Sequence, residues 1–124
     1  MTTDLVFVYG TLKAGKPNHH LLAGARLWMI GKTAKRFRMY CNGYFPMITL
    51  DREGYPIRGE VYQVTPQILE RLDRLEGVPH HYYRDSVTVV NANWNRCVAY
   101  VYVYAGLITD QTEVPSGNWT GEKP

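Results

Sequence analysis

The chain reads as an α+β protein built on a curved or barrel-like mixed sheet. Short strand patterns separated by turn signals recur along most of the 124 residues, with one strong helix pattern among them. The first of these, Leu5-Val6-Phe7-Val8-Tyr9, is apolar on both faces, the pattern of a strand covered on both sides. Few long helices separate the strands, which argues against a parallel doubly wound sheet.

Each element follows from local chemistry. Strand one ends at Gly10-Thr11-Leu12, a permissive turn that can leave backbone N–H groups facing a cleft. Pro17 then sets the entry to a short helix that Asn18 can cap and Gly24 ends. The adjacent His19 and His20 diverge on a helix, so they read as loop or surface residues and not as a chelating pair. Arg26 to Met39 predicts one or two strands with a bend, closed by the turn Cys41-Asn42-Gly43. A short strand runs to Leu50, Asp51-Arg52-Glu53-Gly54 turns, and a further strand covers Ile57 to Val64. Thr65 is a good N-cap and Pro66 suits the first helical position, so a helix runs from Gln67 to about Glu76, ended by Gly77 and Pro79. Tyr82–Asn91 and Val98–Tyr104 are strands around the turn Asn93–Arg96. In the second, Tyr100, Tyr102 and Tyr104 share one face and Ala99, Val101 and Val103 the other. From Ala105 the tail reads as loop, with Trp119 and its neighbours as the apolar anchor.

Length predicts one domain over residues 1–124, with a core at about 5–104 and a tail beyond it. A chain this size can bury enough surface to fold without disulfide or metal. No apolar run has transmembrane length, and Met1-Thr2-Thr3-Asp4 carries no basic segment ahead of its short apolar stretch, which predicts a cytoplasmic protein. Cys41 and Cys97 are too few for a metal site and read as reduced thiols, with a disulfide between them left open. The net charge of +3 is mild, and the one denser basic stretch, Lys32 to Arg38, reads as a solvated strand face and not as a nucleic-acid stripe.

The helix carries one misplaced carboxylate. At about 100° per residue, Ile68, Leu69, Leu72 and Leu75 form an apolar stripe, and Glu76 falls within it, about 40° from Leu72 and about 20° from Leu69. A carboxylate there must be paired, hydrogen-bonded or lining a wet cavity. Desolvation also raises its pKa toward the range useful for proton transfer. Two structural alternatives stand beside that reading: a frayed last turn that lets Glu76 reach solvent, and an ion pair with Arg84. Gly10 to Lys16 has the spacing of a phosphate-binding loop, but Pro17 stands where magnesium ligation needs Ser or Thr. His80-His81 with Glu76 does not keep helical ligand spacing across the Gly77 and Pro79 break, so no metal site is expected.

Taken in order, Val6-Phe7-Val8-Tyr9-Gly10-Thr11-Leu12-Lys13, Gly59-Glu60-Val61-Tyr62, Leu72-Asp73-Arg74-Leu75-Glu76-Gly77-Val78-Pro79, Tyr82-Tyr83-Arg84 and Val103-Tyr104 make the chain resemble the γ-glutamylcyclotransferase-like family. The likeness is to the branch of γ-glutamylamine cyclotransferase and its small bacterial relatives, and it covers roughly residues 5 to 104. It implies a small mixed β-barrel with flanking short helices. It also implies cyclisation of a γ-glutamyl unit to 5-oxoproline with release of a free amine, without metal or organic cofactor. The expected partner is a small γ-glutamyl molecule, not nucleic acid or membrane. By the same resemblance Glu76 is the acid/base, and Tyr9, Gly10, Thr11, Leu12, Tyr82 and Tyr104 bind substrate, with Tyr83 as the alternative register for Tyr82. The backbone N–H groups of 10–12 suit either the substrate carboxylate or the oxyanion of the attacked carbonyl. The alternative is a non-catalytic protein that binds a small acidic metabolite in the same pocket.

Overall fold

The computed structural model describes residues 4–121; residues 1–3, read above for a leader, lie outside it. Five strands close a barrel in the order β1 (Asp4–Val8), β5 (Arg58–Val64), β2 (Arg26–Thr33), β6 (Tyr82–Val90), β7 (Arg96–Tyr104). Four of the pairings are antiparallel, and the barrel is shut by the parallel pairing of β1 with β7, Val6 beside Tyr100 and Phe7 beside Val101. The sheet is therefore mixed, as expected. The stretch 26–39 is two strands, β2 and the start of β3 (Phe37–Cys41), which pairs with β4 (Pro46–Leu50) in a second sheet. The tail is not all loop: Thr112–Glu113 (β8) adds to the other edge of β3.

Alternation along the strands divides the core. Phe7, Val61, Val87, Val89, Val101 and Val103 fill one cluster together with Phe37, Met39 and Ile48 of the second sheet, and Trp119 of the tail packs into it. The opposite faces supply Val6, Val8, Tyr62, Val64 and Tyr102, which meet Ile68, Leu69 and Leu72 of helix α1 (Pro66–Leu75). Strand β1 is thus buried on both faces, and its carboxyl end is fixed from both sides. Among the described residues no helix is long and apolar enough to cross a membrane.

Helix α1 begins as its sequence predicts: Thr65 Oγ1 accepts from the Ile68 N–H at 3.3 Å and Pro66 occupies the first turn. Its other end is a tight motif, not a frayed one. The Gly77 N–H donates to Arg74 O at 3.2 Å and the Val78 N–H to Asp73 O at 3.1 Å, with Gly77 at φ 62°. These paired bonds, with Val78 packed against the helix-side core, are the Schellman arrangement that a left-handed glycine allows. Glu76 is the C-cap of this motif, so its backbone is held at the helix end.

The short helix after Pro17 is a 3₁₀ turn, His19–Leu22, and Asn18 does not cap it with its side chain. The Asn18 amide donates instead to Thr11 Oγ1 at 3.0 Å, which ties this segment back to the glycine turn. Cys41 and Cys97 are unpaired thiols.

Candidate active site

A cavity of about 170 Å³ opens between the end of β1 and the end of α1. Its walls include Tyr9, Gly10, Thr11 and Leu12 from the turn, Phe45 and Pro46 ahead of β4, Leu75 and Glu76 from the helix end, and Tyr82 and Tyr102 from the barrel.

The turn is held by its carbonyls. Gly10 O accepts from the Lys13 N–H at 3.0 Å, Thr11 O from the Asn18 N–H at 2.9 Å, and Leu12 O from His19 Nδ1 at 2.9 Å. The N–H groups of Gly10, Thr11 and Leu12 have no acceptor among the described residues. Unbonded donors on successive residues at a cavity wall form a local field suited to an anion. Gly10 is required here for space: a Cβ would lie 2.8 Å from Pro46 Cγ. His19, read as a surface residue, is half-buried and packs its ring against Tyr62 at 5.7 Å.

Glu76 meets the cavity without a partner. Among the described residues no cation lies within ion-pair distance of its carboxylate and no donor bonds it. Burial pushes its carboxyl up from 4.5 to about 7. Its place at the negative end of the helix acts in the same direction. Arg84, the alternative partner, pairs with Asp73 instead, Nε to Oδ1 at 3.3 Å, and stacks over the Tyr100 ring at 4.7 Å.

The tyrosines divide the remaining work. Tyr9 donates its hydroxyl to Tyr102 O at 2.6 Å and Tyr82 donates to Pro46 O at 3.2 Å. Both phenols are held well above the ordinary range, chiefly by burial and further by charge on Glu76. They are neutral walls whose hydroxyls are already bonded. Tyr102, missed as a site residue, lines the cavity and donates to Asp73 Oδ1 at 2.8 Å. Its signal in the sequence was the tyrosine face of β7, which does not say which tyrosine stands at the right height. Tyr104 does not line this cavity. Its ring meets the edge of Tyr82 at 5.5 Å, and it lines a second, adjoining cavity of about 230 Å³. That cavity shares Phe45, Leu75, Glu76 and Tyr82 with the first and adds Asn42, Met47, His81 and Gln111. Tyr83 is exposed and lines neither, so the buried member of the pair is Tyr82. Among the described residues no three His, Cys, Asp or Glu side chains gather as a metal site.

The family described as "Gamma-glutamyl cyclotransferase, AIG2-like" matches residues 6–121. The chain belongs to this family. It is 34% identical over 116 residues to a Vibrio cholerae protein named "Putative gamma-glutamylcyclotransferase", covering 93% of this chain and 94% of that one. It is 33% identical over 97 residues to the gamma-glutamylaminecyclotransferase of Rattus norvegicus, covering 72% of this chain and 65% of the relative. The crystal structure of an aig2-like protein from Mus musculus superposes with a TM-score of 0.89 at 27% identity, covering all of this chain and 92% of the mouse chain. The barrel is accordingly the γ-glutamyl cyclotransferase fold, in a family of enzymes that act on small γ-glutamyl molecules.

Proposed function

We propose that the protein cyclises the γ-glutamyl unit of a γ-glutamyl-amine to 5-oxoproline, with Glu76 as its single acid/base. One observation carries the reading: an unpaired, half-buried carboxylate shares a cavity with a turn whose three N–H groups are unbonded. In the first cavity the γ-glutamyl unit folds so that its α-nitrogen reaches its own γ-carbonyl carbon. Nucleophile and electrophile belong to one molecule, so holding that conformer supplies much of the rate. The α-nitrogen loses a proton to Glu76 and forms the new C–N bond. The carbonyl oxygen gains negative charge, and the 10–12 N–H groups suit either that oxyanion or the substrate's α-carboxylate. The bond to the departing nitrogen then breaks as Glu76 returns the proton to it. A carboxyl near pH 7 serves both directions of transfer.

The adjoining cavity supports an amine as the leaving group. Glu76 lines both cavities, so a departing nitrogen placed between them stays within its reach. Neither cavity is lined by lysine or arginine. An α-amino acid leaving group carries a carboxylate beside the departing nitrogen and meets no lysine or arginine here, whereas the alkyl stem of an amine meets Phe45, Met47 and Leu75.

The test is 5-oxoproline release from γ-glutamyl-ε-lysine, a panel of γ-glutamyl alkylamines and a panel of γ-glutamyl-α-amino acids. Turnover is expected with the amines, and Glu76→Gln is expected to fold and to lose it. Binding of 5-oxoproline without turnover of any of these compounds leaves a metabolite-binding protein. Wild-type rates in Glu76→Gln sink the assignment of the base.

A further inference from the structure

A third cavity, of about 500 Å³ and sharing no lining residue with the other two, has the opposite character. Lys32 on β2 and Arg58 on β5 both line it, and they are direct cross-strand partners in the β2–β5 ladder. Both are exposed, because their strand neighbours Thr33, Ile57 and Gly59 take the buried face. Like charges directly opposite each other destabilise a ladder. Four cations elsewhere are matched to acids: Lys35 with Asp85, Arg38 with Asp51 and Glu113, Arg74 with Glu70, and Arg84 with Asp73. Lys32 and Arg58 have no carboxylate partner among the described residues. Glu60, the one acid lining this cavity, accepts at Oε1 from the Ala14 N–H at 2.9 Å and from the Tyr62 hydroxyl at 2.8 Å. The third cation, Lys13, donates to Trp119 O.

A second observation points to the same place. Trp94, also in the lining, is 78% exposed and holds φ at 64°. A bulky residue in the left-handed region is an outlier that its surroundings must enforce. They do so: Asn91 Oδ1 accepts from the N–H groups of Asn93 and Asn95 at 2.9 Å each, and Asn91 O from the Trp94 N–H at 3.0 Å. A position that glycine or asparagine fills at least cost carries instead an indole that packs into no core. Backbone strain of this kind concentrates at ligand sites.

We infer that this cavity binds an aromatic phosphate monoester of the mononucleotide class, with its phosphate on Lys32 and Arg58 and its ring on Trp94. Two adjacent unpaired cations match a group that carries close to two negative charges at neutral pH. An open indole face stacks a heteroaromatic ring. The cation pair is local, and the modest overall charge of +3 lacks the long basic stripe of a polynucleotide surface.

The experiment is isothermal titration of the whole protein with AMP, with adenosine and inorganic phosphate as partial probes and a single-stranded oligonucleotide as competitor class. AMP is expected to bind one site, more tightly than either partial probe and less tightly as salt rises. The Lys32→Gln/Arg58→Gln double variant is expected to weaken AMP by about tenfold or more. Trp94→Ala is expected to weaken AMP but not inorganic phosphate. Glu76→Gln is expected to leave AMP binding unchanged, which separates this site from the first cavity. Lys32, Arg58 and Trp94 are exposed, so an unchanged thermal midpoint checks that their variants fold, and a single cooperative thermal transition checks Glu76→Gln. No AMP binding at millimolar concentration, AMP binding indifferent to the double variant, or binding of the oligonucleotide alone each overturns the proposal.

Discussion

Asp73 and Glu76 stand three residues apart at the end of α1, and their surroundings are opposite. Asp73 is held at one oxygen by both Arg84 and the Tyr102 hydroxyl. Glu76, one turn on, has buried surroundings and neither cation nor donor among the described residues. A carboxylate that is paired and bonded is a structural strut. One that is desolvated and unbonded is costly to ionise, and such a cost persists where the ionisation is used. Residue type does not separate the two, since both are acids on the same helix; what lies within about 3 Å of each does.

The largest effect that tests this contrast is on turnover. Glu76→Gln is expected to lower 5-oxoproline production by about 10²–10⁴-fold, the usual worth of a positioned proton carrier. Asp73→Asn keeps an oxygen for Tyr102 and lies outside both cavities that Glu76 lines, so its turnover is expected to stay within about tenfold of wild type. Equal losses in the two variants, measured under identical substrate saturation, break the contrast.

Next in size is a stability effect with a defined sign. The folded Glu76 carboxyl sits at about 7, above its ordinary 4.5. The native state therefore holds a proton that the unfolded state releases between those values, and stability falls as pH rises across that window. Below about pH 4.5 the group is neutral in both states and Glu76→Gln changes little. Above about pH 7 the variant is relieved of a buried charge and is expected to be more stable by on the order of 1–3 kcal/mol. Denaturant unfolding at pH 4 and pH 8 reads both ends. A variant less stable than wild type at pH 8 means that the ionised carboxylate has a partner in solution and that the two acids are alike.

Much of this was legible from the chain. The two apolar faces of β1, the Thr65-Pro66 helix start and the carboxylate within the apolar stripe are local patterns, and the structure carries all three. The helix wheel could not choose between Asp73 and Glu76 as the partner of Arg84, because that choice depends on where β6 passes the helix. Barrel closure by β1 and β7 joins residues far apart in sequence and leaves no periodic trace. Strand β8 is two residues long, too short to show alternation. Asn18 reads as a cap because Asn, Asp and Ser suit caps and turns alike; its actual acceptor, Thr11, is known only once the turn folds back. Tyr102 and Tyr104 share a face in sequence, and only the folded barrel puts the first at one cavity and the second at the next.

The smallest effect belongs to Arg84. Its guanidinium links Asp73 to the Tyr100 ring, with about a third of its side chain open to solvent. A pair this open to solvent is screened, and stacking on the half-buried Tyr100 ring is similarly modest, so Arg84→Ala is expected to cost about 0.5–1 kcal/mol of stability, less at high salt. Asp73 keeps its bond from Tyr102, and Glu76, which never met the guanidinium, keeps its surroundings. Turnover and its pH midpoint should therefore move little in Arg84→Ala. A clear shift of the pH–rate midpoint in that variant means that the strut also sets the charge on Glu76, so that the two carboxylates work as one coupled unit and the division between them dissolves.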